Sequence, residues 1–239
     1  VVTVIRTDGK LAYSIDDGAT WTPCTLNMPA DYTATNARQI GYDSGSINVN
    51  YALVYGTDDA GNEGVLFFRS FDGGMTFDFT SFRQTRRAHM WTSRDGAGMI
   101  LLVWSDGGNA HVERNDGLGD SGYWNEVSQI PSPFSGIDDD SILVAAQEHA
   151  NADSMHIWVH LDGTLFRSVD GGQGFTNVRE YTTNSERSLG TSLLHKDLVF
   201  WATGEHQVFY STDGGSTPTE ISNDWPSNDA VHGLNVDFD

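Results

Sequence analysis

Polar and aromatic side chains recur along this chain at corresponding distances behind a repeated loop, and these are the residues able to do chemistry. They are Arg38 and Tyr42, then His89, Trp91 and Arg94, then Glu148 and His149, then Glu186 and Arg187, and finally His232 and Asp237. Glu148, Glu186 and Asp237 supply carboxylates of the kind that work in pairs at a glycosidic bond, one as acid and one as base or nucleophile. The rings suit a sugar held by stacking and hydrogen bonds. A wet polar wall would use the same residue types, so the set alone does not choose between binding and catalysis.

Other chemistries find less support. Asp138, Asp139 and Asp140 are consecutive carboxylates, but neighbours in sequence converge on one calcium ion only in a loop shaped for it. His156 and His160 share a face of a predicted strand about 13 Å apart, a spacing that suits a helical ligand pair and not a strand. No metal site and no cofactor is assigned. The chain lacks a GxSxG elbow, a GxxxxGK phosphate loop and HExxH.

The elements that must position the candidates announce themselves by repetition. LAYSIDDGATW at 11 to 21, LFFRSFDGGMTF at 66 to 77, LFRSVDGGQGF at 165 to 175 and VFYSTDGGSTP at 208 to 218 each pair a short apolar strand with one loop pattern. That pattern is Ser, any residue, Asp, any residue, Gly: Ser14, Asp16 and Gly18; Ser70, Asp72 and Gly74; Ser168, Asp170 and Gly172; Ser211, Asp213 and Gly215. Asp accepts backbone N–H groups of its own turn, Gly takes a positive φ, and Ser adds local bonds. An aromatic, Trp21, Phe77 or Phe175, is expected to pack on the hairpin it closes, while Pro218 replaces it in the last copy and should weaken that loop. From Asp16 to Asp72 is 56 residues, from Asp72 to Asp170 is 98, and from Asp170 to Asp213 is 43, so the long gap holds a worn copy. AHVERNDGLGDSGYW at 110 to 124 fills it, with Asn115 and Asp116 in the loop and Trp124 at its end.

A second strand precedes each loop: VVTVIR, NYALVYG, MILLVWS, MHIWVHL and LVFWATG. Such runs, bounded by DG or GG turns, read as strands, and no helical period competes.

In its fullest form, Ser14, Asp16, Gly18, Thr20 and Trp21, the loop resembles the Asp-box (BNR) repeat of sialidases and many other propellers. The resemblance implies an all-β fold, a β-propeller of four-stranded antiparallel blades with the candidates above on its innermost strands. The period predicts five blades of about 48 residues in 239. Blade 1 takes 1–30 plus 230–239, blade 2 about 31–84, blade 3 about 85–131, blade 4 about 132–182 and blade 5 about 183–229. AVHGLNVDF at 230 to 238 is expected to close the ring by pairing into the N-terminal blade. The sialidase reaction itself is not expected, because the chain has no Arg-Ile-Pro signature and one blade fewer than the six of that family.

Composition bounds the partners. A net charge of −20 and a pI near 4.4 disfavour nucleic acid and anionic membranes. No apolar run approaches the roughly 20 residues of a membrane span. Cys24 is the single cysteine, so no intrachain disulfide forms. Short loops and the lack of a recognisable catalytic set point to a noncatalytic recognition or structural module. It would bind a glycan or a neighbouring structural protein on an extracellular or virion surface, such as a phage tail or appendage, as part of a larger assembly. The alternative is a glycoside hydrolase acting on a polysaccharide.

Overall fold

A computed structural model describes residues 1–43, 45, 48–85, 87–93, 98–131, 142–147, 154–161, 163–180, 188–192, 195, 197–202 and 207–222. Within them the chain is almost entirely strand, gathered into five small sheets. The first holds β1 (Val2–Ile5), β2 (Leu11–Ser14) and β3 (Thr22–Pro23). The second adds β4 (Thr25–Asn27) to β5 (Tyr32–Tyr42), β6 (Asn50–Asp58), β7 (Glu63–Ser70) and β8 (Thr76–Arg83), in the order β4-β8-β7-β6-β5. The third holds β9 (Ala88–Thr92), β10 (Ile100–Ser105), β11 (Asn109–Asn115) and β12 (Trp124–Pro131). The fourth holds β13 (Ile142–Gln147), β14 (His156–Leu161), β15 (Thr164–Ser168) and β16 (Thr176–Glu180). The fifth holds β17 (Ser188–Thr191), β18 (Val199–Ala202), β19 (Val208–Ser211) and β20 (Thr219–Glu220).

Two compact units can be distinguished, Val1–Leu102 with Glu113–Glu126, and Val103–Val112 with Val127–Asp239. In the first, Leu11, Ala52, Val54, Leu66, Phe68 and Phe77 form a core covered by Leu26, Tyr32, Ile40 and Phe82. In the second, Trp158, Leu165, Val199 and Trp201 pack with Val178, Leu189 and Phe209. Strands such as β6 and β14 are buried on both faces, which explains why they read as continuous apolar runs and not as alternation.

The repeated loop is a hydrogen-bonded fastener in every copy. Ser14 Oγ donates to Asp16 Oδ1 at 2.7 Å and accepts from Gly18 N at 2.8 Å, while Asp16 Oδ1 accepts from Thr20 N at 2.9 Å. The same bonds recur in the second copy, at Ser70, Asp72, Gly74 and Thr76. Ser168, Asp170, Gly172 and Gly174 make them in the fourth, and Ser211, Asp213, Gly215 and Thr217 in the fifth. Asp16 is held at a pKa of about 2, first by the Thr20 hydroxyl and then by Thr20 N and Ser14. Asp213 is likewise held at about 2 by Ser211 and Thr217. The last loop keeps the full hydrogen-bond set with Pro218 in place of the aromatic, because the donor there is Thr217 N and the missing N–H of proline is not one the loop uses.

Replacing Asp170 with Ala should lower stability by about 1 to 2 kcal/mol, since Ser168 Oγ and Gly174 N lose their acceptor at a partly exposed site. Thermal melting measures this, and an unchanged melting temperature would remove the fastener role.

Several expectations need correction. In the worn copy Asn115, not Asp116, does the fastening: its Oδ1 accepts from Gly117 N at 2.9 Å and Gly119 N at 3.0 Å, and its Nδ2 donates to the carbonyl of Asp120 at 2.7 Å. Asp116 instead meets Arg114 at 3.1 Å. Trp21 lies against Gly18 of its own loop yet remains 42% exposed, whereas Phe77 is fully buried. In the first, second, fourth and fifth sheets the described pairings are antiparallel apart from β4, which joins β8 in parallel, with Thr25 opposite Thr76 and Asn27 Nδ2 donating to Asp78 Oδ1 at 2.8 Å. The first sheet has three strands, and its edge strand β1 leaves Val2 48% and Ile5 37% exposed.

Candidate functional site

The edge strands β5 and β9 lie side by side, and they carry Arg38, Tyr42, His89 and Trp91. Gln39 fixes the approach: its Nε2 donates to Met90 O at 2.6 Å and its Oε1 accepts from Met90 N at 2.8 Å. Thr92 Oγ1 adds a bond to Tyr42 O at 3.0 Å. Gly41 permits the contact, because a Cβ there would fall 2.6 Å from the Thr92 methyl and 2.9 Å from the Met90 methyl. In the second unit, between β13 and β17, the threonine contact recurs, while a glutamine at a different phase ties β13 to the residues that follow β17. There Gln147 Nε2 donates to Ser192 O at 2.9 Å and His195 O at 2.5 Å, and Thr191 Oγ1 donates to Ala146 O at 2.8 Å.

Arg38 sits in an irregularity of β5, where Ala37 faces Val54 and Gln39 already faces Leu53. A bulge of this kind re-aims the extra side chain out of the ladder's alternation. Its guanidinium acts on His89: burial first, then the charge of Arg38, pushes the imidazole down to about 4. A neutral imidazole carries one donor and one acceptor and a guanidinium carries donors, groups of the kind that bond hydroxyls. Trp91 is half-buried and Tyr42 is 62% exposed, so rings stand at the end of the same two strands. Arg94, Glu148, His149, Glu186, Arg187, His232 and Asp237 lie outside the described residues, as do Asp138, Asp139 and Asp140.

His89 predicts a pH dependence with a definite sign. Its ring takes a proton near pH 6.5 in the unfolded chain but only near pH 4 in the folded one, so the unfolded state binds more protons between these values. Stability should therefore be full above pH 6.5 and fall by on the order of 2 to 3 kcal/mol on acidification to pH 4. Melting curves of the wild type and His89→Gln at pH 7 and pH 4.5 check this; equal slopes for both would show that His89 is not the group responsible.

A second cluster serves packing. In the second unit Arg167 Nη2 donates to Asp197 Oδ1, His156 Nδ1 lies 3.1 Å from the same oxygen, and the guanidinium stands 5.4 Å over the Trp158 ring. Trp158 Nε1 donates to Gly214 O at 2.9 Å and Asp197 O accepts from Gly214 N at 2.9 Å, so the cluster ties a fastening loop to its sheet. Among the described residues no group of three or more His, Cys, Asp or Glu side chains could hold a metal ion.

Sequence reasoning missed Gln39 and Gln147, whose side chains replace backbone pairing between edge strands, and also the exposed group formed by Arg69, Phe71, Asp120 and Tyr123. For the first the sequence carried no repeated signal, because Gln39 and Gln147 stand at different phases of their repeats, the matching positions being Tyr42 and Ala146. For the second the signal was the extra length of the worn copy.

These sheets place the chain with β-propeller structures. An ancestral GH74 enzyme aligns with a TM-score of 0.68 at 10% identity, over 95% of this chain and 30% of that one. The GH74 enzyme of Niastella koreensis gives 0.54 at 14% identity, over 89% of this chain and 42% of that one. At such identities the likeness shows the fold alone. No family model matches. By sequence, a curated xyloglucanase from a Paenibacillus species is 28% identical over 204 residues, 74% of this chain; the chain spans 19% of that relative's length.

The noncatalytic module expected from the sequence is overturned by the sequence relative, which is named as a xyloglucanase, and the glycoside hydrolase alternative is the reading it favours. The earlier expectation leaned on short loops and fastening motifs, and fasteners are silent on catalysis. Nothing among these relatives supports a virion surface.

Proposed function

We propose that the chain is all or part of a glycoside hydrolase acting on a xyloglucan-type polysaccharide outside the cell, where such a polymer is found. The 28% identity to a xyloglucanase over 204 residues carries this reading. The inner-edge residues support it: Arg38 and neutral His89 bind hydroxyl groups, and Tyr42 and Trp91 stack on sugar rings. Glu148, Glu186 and Asp237 are the carboxylates from which the acid and its partner would come. A separation of about 5 to 5.5 Å between the acting pair would make the enzyme retaining, and about 6.5 to 9.5 Å inverting.

The loops at Asp16, Asp72, Asp170 and Asp213 are Asp-boxes in this reading, the five sheets are five blades, and AVHGLNVDF at 230 to 238 supplies the inner strand of the first. The exposed edge of β1 favours that closure, because strands at the matching position, β6, β14 and β18, each pair with an inner neighbour. Incubation with xyloglucan, mixed-linkage β-glucan and starch tests the activity. New reducing ends from xyloglucan are expected and none from starch; no release from any β-glucan would defeat the proposal.

A further inference from the structure

The repeat that departs from its sisters builds a surface they lack. Four fastening loops run eight residues from the serine to the closing position, as in Ser14–Trp21 and Ser70–Phe77, whereas Asn115–Trp124 runs ten. Insertions in one repeat of an array map to loops on one face, often the binding face. Here the insertion forms a short 3₁₀ turn, Ser121–Tyr123, capped by Asp120, whose Oδ1 accepts from Gly122 N at 3.0 Å. The loop keeps the left-handed backbone of its sisters even though Leu118 must adopt φ +53°.

The turn presents Tyr123, 57% exposed, with its ring lodged over Gly117, where a Cβ would come within 2.3 Å of it. Asp120 Oδ2 pairs with Arg69 Nη1 at 3.2 Å, and the same guanidinium lies 5.2 Å from the centre of the Phe71 ring, itself 49% exposed. Phe71 thus lies beside a guanidinium–carboxylate pair whose carboxylate caps the turn that carries Tyr123. Tyr42 stands opposite Asn50, and Asn50 opposite Ser70, at strand spacings that put Tyr42 about 10 Å from the residue preceding Phe71.

We propose that Arg69, Phe71, Asp120 and Tyr123 form a second polysaccharide-holding surface, which takes a neutral glucan chain extending beyond the inner-edge site. This rests on the glycoside hydrolase reading. The rings stack on the C–H faces of pyranose units, and the charged pair bonds neighbouring hydroxyls. A chain of net charge −20 repels polyanions and leaves a neutral polymer as the fitting occupant.

Electrophoresis through native gels containing xyloglucan tests the surface, with starch gels as control and thermal melting alongside. The wild type should be retarded by xyloglucan. Phe71→Ala with Tyr123→Ala should weaken retardation about tenfold at an unchanged melting temperature, Phe71→Ala alone should weaken it in part, and Tyr123→Phe should keep it. Equal retardation of wild type and double variant would overturn the surface and leave the hydrolase reading standing. Release of reducing ends by a wild type that no gel retards would do the same. Neither retardation nor release would overturn both.

Discussion

Arg83→Ala should cost about 3 to 5 kcal/mol and lower the melting temperature by on the order of 10 °C. Arg83 Nε donates to Glu113 Oε1 at 3.0 Å and Oε2 at 3.1 Å, and Nη2 donates to Oε2 at 2.6 Å. Its Nη1 bonds Phe82 O at 2.9 Å and the guanidinium stands 5.8 Å over the Trp124 ring. Glu113 is 7% exposed, so removing the cation leaves a carboxylate in a place where water cannot replace what it lost. The loss belongs to the stranded charge and not to the pair, and Arg83→Met with Glu113→Leu should therefore recover most of it. Thermal melting of the three proteins decides the matter: equal losses in the single and double variants would mean that packing, not charge, holds this site.

Much of the scaffold was legible in the sequence because its signals are local. NYALVYG and MHIWVHL read as strands since burial on both faces demands unbroken apolar runs, and the serine–aspartate loops carry their own hydrogen-bond partners within seven residues. What escaped depended on distant partners or on chemical substitution. The carboxamide of Asn115 performs the hydroxyl's task of accepting two N–H groups, which drew attention to the neighbouring Asp116 instead. The short stretch Thr25–Asn27 gives no hint that it will join β8 in parallel. Trp21 looks like Phe77 by position, yet burial depends on what stands across from each.

The candidate site was legible in part for the same reason. Repeat phase named Arg38 in one repeat and His89 in the next without pairing them, and the structure sets the two on adjacent edge strands, where the charge of Arg38 acts on His89. The glutamine that sets their distance was invisible, because nothing in a lone Gln39 tells whether its amide faces water or a neighbouring backbone. The charged pair of Arg69 and Asp120 joins residues about fifty positions apart and follows from an insertion whose path no local rule supplies.

The largest functional effect is expected from the carboxylates. If two of Glu148, Glu186 and Asp237 act as acid and as base or nucleophile, their combined loss removes the proton transfer or covalent step outright, where a positioned acid or base contributes about 10²-fold to 10⁴-fold. Substitution by amides keeps size and hydrogen bonding while abolishing the acid function, so folding should be spared. The decisive measurement is the rate at which reducing ends appear from xyloglucan, for the wild type and for a Glu148→Gln, Glu186→Gln, Asp237→Asn variant of matching melting temperature. Release by the wild type with a fall of at least about 10²-fold in the variant is predicted; an equal rate in the two, or no release by either, would contradict the account.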